Sequence, residues 1–152
     1  MNQLHKSFYL KDISIEIKRG HSFAPPEYCL VINGLGHVKY NGLCGVKVLG
    51  EYNYRIPIVD IINMIELALG IDFFSLKNDY TEFVNIKLFD NDQITFMEPC
   101  RLDASYNYIK ISIGKITKEI KIFDQPPYSI SLLLDLIDRL SESHKLTGTN
   151  ET

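Results

Sequence analysis

The sequence contains no tryptophan and only three cysteines. Cys29, Cys44 and Cys100 are odd in number and irregularly spaced, so they do not outline a disulfide framework; reduced thiols packed as small hydrophobes are the simplest expectation. No apolar run approaches the roughly 18 residues of a membrane span. The N-terminal stretch MNQLHKSFYLKD lacks the apolar core and small-residue cleavage site of a secretory signal. These absences point to a cytoplasmic location with no membrane partner. There is no basic excess either. The net charge is −3 and the pI about 5.8, which argues against a nucleic-acid partner.

Motifs of catalysis and metal binding are equally scarce. The histidines are His5, His21, His37 and His144, and none stands at C-x-x-C, H-E-x-x-H or similar ligand spacing. Asp90-Asn91-Asp92 starts like a calcium loop, but the later glycine and bidentate glutamate are missing, so a hairpin turn is expected there. Gly34-Leu35-Gly36 starts like a dinucleotide fingerprint, but Lys39 occupies the third glycine position and the segment joins two strands. No phosphate-cradling loop and no nucleophile elbow occurs. The expectation is therefore no catalytic, cofactor-binding or metal-binding residue, and no cofactor.

What is present is strong patterning over 152 residues, of which 45% are hydrophobic and 23% charged. Ile13, Ile15 and Ile17 alternate with polar residues, as in a half-buried strand. Tyr28 to Asn33 and His37 to Asn41 form a hairpin whose loop places glycine in the left-handed region. Tyr28, Leu30, Ile32, Val38 and Tyr40 then share one face. Val46, Val48, Tyr52, Tyr54 and Ile56 share a parity that predicts one long fourth strand, with a bulge or bend at Gly50. After Pro57 the period changes. Ile58, Ile61, Ile62, Ile65 and Leu69 predict a deeply buried helix with only Asp60, Asn63 and Glu66 in water.

Val84 to Met97 is expected to hold a hairpin turning at Asn91-Asp92, and Glu98 to Asn107 a loop. In YIKISIGKITKEIKIFD, Tyr108 to Asp124, isoleucines alternate on both sides of Gly114-Lys115. A hairpin results in which Ile113 faces Ile116, Ile109 faces Ile120 and Lys110 faces Glu119, with Lys118 interrupting the apolar side. After the stiff Gln125-Pro126-Pro127 turn, Ser129 is the expected cap of a last helix. Its inner stripe is Ile130, Leu133, Leu134, Ile137 and Leu140; Asp135, Asp138, Arg139 and Glu142 are expected outside. The predicted fold is α+β: a single antiparallel sheet of about six strands with two helices on one face, in the order ββββ-α-ββ(ββ)-α. Residues 1–142 make one domain, and 143–152 a disordered C-terminal tail.

The run Y-C-L-V-I-N-G-L-G-H-V-K-Y-N-G, Tyr28 to Gly42, resembles the first hairpin of an uncharacterised bacterial domain family that reads Y-S-x-x-I-x-x-D-G-x-V-x-Y-x-G. Gly70 to Tyr80, G-I-D-F-F-S-L-K-N-D-Y, resembles that family's helix exit, G-F-F-S-L-x-x-x-Y. The likeness spans roughly Ile13 to Leu140. Relatives usually enter the hairpin through C-F-G-x-C-P-x-Y. Here His21 to Tyr28 retain Pro26 and Tyr28 but neither cysteine, so no role of that pair carries over. The resemblance implies a fold and no activity.

Nine tyrosines, with Tyr52 and Tyr54 flanking Asn53 and Tyr106 and Tyr108 flanking Asn107, suit either a sheet rim or an interface. The favoured expectation is a small soluble protein-binding module of inhibitor or immunity type, its partner another protein or a second copy joined through an edge strand or the sheet face. Tyr52, Tyr54, Tyr106 and Glu51 are the first positions to test. A ligand carrier with a pocket between sheet and helices is the alternative. An enzyme with an unfamiliar site ranks third.

Overall fold

The computed structural model describes residues 7–21, 26–80, 85–88, 90–97, 105–123 and 126–148. The first four strands are β1 (Ile13–His21), β2 (Glu27–Asn33), β3 (His37–Cys44) and β4 (Gly50–Arg55). Helix α1 (Ile58–Gly70) follows, then β5 (Asp79–Tyr80), β6 (Asn85–Leu88), β7 (Ile94–Met97), β8 (Ser105–Ile113) and β9 (Ile116–Phe123). Helices α2 (Tyr128–Leu140) and α3 (Ser143–Thr147) close the chain.

The main sheet has the order β4-β3-β2-β1-β8-β9-β5, and β6-β7 form a separate two-stranded ribbon. The class is α+β. The sheet is mixed rather than wholly antiparallel, because β5 runs parallel to β9, with Asp79 opposite Lys121 and Tyr80 opposite Ile122. It has seven strands where about six were expected. Two residues are too few to display an alternating pattern, which is why β5 leaves no trace in the sequence.

Hydrophobic alternation sets the register. The centre of the sheet joins the two ends of the chain: β1 lies between β2 and β8, with Ile15 opposite Ile32 and Ile111, and Ile17 opposite Leu30 and Ile109. All six are buried. The β8-β9 hairpin has the expected register, Ile113 opposite Ile116, Ile109 opposite Ile120 and Lys110 opposite Glu119. Its turn requires the positive φ of +61° at Gly114. Gly36, at φ +90°, makes the β2-β3 turn, and its carbonyl accepts the Ile56 N–H at 2.8 Å. A side chain at this glycine would strike the Ile56 carbonyl. Lys118 is accommodated on the apolar side because its ammonium donates to the Leu76 carbonyl.

Both long helices pack on the face that carries these isoleucines. Helix α2 buries Ile130, Leu133, Leu134 and Ile137 as expected. Its N-cap is Pro127, with no side-chain hydrogen bond, so Ser129 does not cap it. Helix α1 is buried on a narrower stripe than its composition suggests: Ile61, Met64 and Ala68 are enclosed, whereas Ile58, Val59 and Ile62 are 38%, 58% and 43% exposed.

Three further expectations change. The fourth strand begins at Gly50, at φ +82°. Val46 and Val48 precede it, and the Lys47 and Val48 N–H groups donate to the carbonyls of Thr147 and Leu146. The acceptors belong to α3, which folds inside the stretch expected to be disordered and buries Ser143 and Thr147. The Ser105–Asn107 part of the expected loop is strand. Asn91-Asp92 do form the β6-β7 turn: the Asn91 side chain accepts the Gln93 N–H at 3.2 Å, and Asp92 takes a φ of +62°. His5, Cys100, residues 22–25, Gln125 and the last four residues lie outside the described residues.

Candidate functional site

Three features bear chemistry: a polar cluster beneath α2, the open face of the sheet, and the outer edge of β4. The cluster centres on Asp138. Helical spacing places this residue four positions after the buried Leu134, on the inner side of α2. Asp138 Oδ2 accepts from the Arg19 guanidinium, and Oδ1 accepts from the Tyr28 hydroxyl and the Ser143 hydroxyl, each at 2.7 Å. Arg19 Nε also donates to Asn107 Oδ1 at 3.0 Å. Arg19 and Asp138 side chains are 28% and 14% exposed, and Asn107 is buried. Burial works against the Arg19 charge, but Asp138, Tyr28 and Asp135 around it together outweigh burial and raise its pKa. Burial and then the Asp138 charge push the Tyr28 hydroxyl well above the ordinary tyrosine value. Both carboxylate oxygens are occupied. The cluster therefore staples α2 and α3 to β1, β2 and β8, and offers no free oxygen to a reacting group.

The sequence assigned Asp138 to the outside, and neither Arg19 nor Ser143 stood out. The available signal was parity. Arg19 continues the Ile13, Ile15, Ile17 row on the helix-facing side, and a charge there needs a partner.

The opposite face of the sheet is polar and charged. Glu16 stands opposite Lys110, and Lys110 opposite Glu119. Lys18 lies over the Tyr108 ring, 5.0 Å from its centroid. Tyr108 is buried and donates to Glu119. Burial and that bond raise the tyrosine's pKa, and the bond lowers that of Glu119. Two clefts are lined by described residues. One, of about 290 Å³, includes Lys18, Glu27, Cys29, Leu43 and Tyr106. The other, of about 400 Å³, lies at the β2-β3 turn and includes His37, Lys39, Asn53 and Arg55. Cys29 is half-buried and Cys44 exposed, both with free thiols. Burial raises the Cys29 pKa, which keeps it a thiol rather than a nucleophilic thiolate.

The tyrosines divide by role. Tyr54 donates to the Ser141 carbonyl at 2.6 Å, and burial pushes its pKa upward. Tyr40 is fully buried and donates to the Val48 carbonyl at 2.9 Å. Tyr106 lies against Phe123, with ring centroids 5.2 Å apart. These three support the scaffold. Tyr52, 49% exposed, lies beside Tyr54 with ring centroids 5.7 Å apart. Glu51 is exposed and pairs with Lys39 at 3.3 Å. Of the four positions marked for testing, Tyr52 and Glu51 are therefore at the surface. His37 is exposed on β3, and His144 sits on α3. Among the described residues no group of three or more His, Cys, Asp or Glu side chains could hold a metal ion. Nor is any described helix long and apolar enough to cross a membrane.

Residues 14–141 match the family described as domain of unknown function DUF6438, and the chain belongs to it. No curated protein matches the chain, and no solved structure does.

Proposed function

We propose that this member of the DUF6438 family is a protein-binding module, of inhibitor or immunity type, that engages its partner along β4. The observation that carries this reading is the asymmetry of the two sheet edges. One is blunted by the two-residue β5. The other is β4, six residues long and paired only on its β3 side among the described residues. An unpaired edge presents a row of backbone donors and acceptors, which an extended segment of another protein can complete.

The side chains around this edge suit recognition. Tyr52 supplies a large, half-exposed ring held by Tyr54, and such rings are favoured interface anchors. Leu43 and Leu49, 48% and 67% exposed, flank the start of the strand. Small size, mild acidity and the lack of a catalytic motif in the sequence agree with a protein that acts by occupying another's surface.

Affinity purification of the full chain from its source cell tests this reading, with wild type beside Tyr52→Lys. A stoichiometric partner retained by wild type and lost by the variant supports it, as does a self-associated dimer that the same change dissociates. Recovery of no stoichiometric partner, together with a monomer in sedimentation, counts against it.

A further inference from the structure

The cleft of about 400 Å³ on the open face of the sheet brings Asn33, His37, Lys39, Asn53 and Arg55 together beside apolar surface. His37 stands directly opposite Arg55 across the β3-β4 ladder, and Lys39 opposite Asn53. Arg55 and Lys39 both line the cleft, from neighbouring strands. The nearest acid on these strands, Glu51, is engaged with Lys39 at 3.3 Å. Among the described residues Arg55 makes only a 3.5 Å contact, to the Leu35 carbonyl.

Asn33 adds a fixed donor. Its Oδ1 accepts the N–H groups of Leu35 and His37, both at 3.0 Å. With the oxygen committed to the turn, the amide nitrogen is what the side chain has left to offer a ligand. Val31, 39% exposed, pairs with Lys39 and contributes apolar surface beside these groups. In a chain of net charge −3, the Arg55 guanidinium, Lys39 and the Asn33 amide gather donors around one cleft.

We infer that this cleft binds a small oxyanion, a carboxylate or phosphate group, held by Arg55 and the Asn33 amide, with Asn53, His37 and Lys39, which the anion would share with Glu51, as further donors. A guanidinium and a fixed amide together suit the flat or tetrahedral oxygen arrays of these groups. The site goes beyond the β4-edge reading and does not depend on it.

The test is nuclear magnetic resonance titration of the labelled full chain with inorganic phosphate and, separately, with succinate, against sodium chloride at matched ionic strength. The expected result is a saturable shift confined to the amides of His37, Lys39, Asn53 and Arg55 and the Asn33 side chain. Which probe saturates at lower concentration identifies the phosphate or the carboxylate as the ligand chemistry. Arg55→Gln should weaken binding about tenfold, the loss of one charge-assisted contact. Asn33→Asp keeps an acceptor for both turn N–H groups, so its melting temperature should stay close to wild type while anion binding disappears. No saturable shift with either probe, or shifts unchanged in both variants, would overturn the assignment. The β4 reading would stand in either case.

Discussion

Asp138 receives donors from Arg19, Tyr28 and Ser143, so a single carboxylate ties a helix to two strands and to the following helix. Removing it leaves a largely enclosed guanidinium without its counter-charge. Asp138→Ala should cost about 2–4 kcal/mol in urea unfolding, near the value for breaking a buried pair and reduced by the partial exposure of Arg19. Tyr28→Phe removes one hydrogen bond and should cost only about 1 kcal/mol. Equal losses from the two changes would mean that the charge pair is not the core of the cluster.

Three enclosed tyrosines predict a pH dependence. Tyr28, Tyr54 and Tyr108 hold their protons more tightly in the fold than an exposed tyrosine does. Below roughly pH 10 both folded and unfolded chains keep these protons, and the stabilisation is complete. Above it the unfolded chain ionises first, so stability falls by up to about 1.4 kcal/mol per pH unit for each tyrosine. Urea midpoints measured from neutral pH upward should stay level and then drop steeply above about pH 10, less steeply in Tyr54→Phe. At this scale the sequence was a partial guide. Alternation identified the buried faces of Tyr28 and Tyr40. Periodicity alone could not distinguish an aspartate at the edge of a helix's inner stripe from one in water, because the deciding partner, Arg19, lies 119 residues away.

At the level of elements, long alternating segments declared themselves and short ones did not. The isoleucine hairpin and α2 have enough repeats to fix their inward faces. Helix α3 has five residues and β5 has two, too few for a period, and each is held by a partner distant in sequence. For α3 the partners are Lys47 and Val48, whose N–H groups reach the Thr147 and Leu146 carbonyls. Burial of Ser143 and Thr147 marks α3 as part of the domain rather than a loose tail. Truncation after Glu142 should therefore lower the melting temperature and abolish slow hydrogen exchange at Lys47 and Val48. Unchanged protection at those two amides would show that α3 does not hold the β3-β4 connection. The overestimate of α1 burial has a related cause. Its composition is apolar nearly all round, but a sheet and one neighbouring helix cover only part of a helical surface.

At the scale of the whole molecule, strand order matters more than any single strand. The sheet closes its middle by pairing β1 with β8, across most of the chain, and thereby pushes β4 to the outside. No local pattern in Gly50 to Arg55 reveals that position, which is why its residues could be chosen from the sequence only as a group of tyrosines and a glutamate. Tyr52 and Glu51 stand on a strand that is outermost among the described residues, while Tyr54 and Tyr106 belong to the scaffold. The cleft on the charged face is a second consequence of the same order, because β2, β3 and β4 must be neighbours for Asn33, His37 and Arg55 to line it together.

Docking along β4 is the central feature of the proposed function. Hydrogen exchange across residues 50–55, in the free chain and in the complex with a captured partner, tests this directly. Outward-facing amides of β4 that exchange rapidly in the free chain and become strongly protected in the complex are the predicted result. Unchanged exchange along β4, with protection appearing on α1 or elsewhere instead, would contradict it.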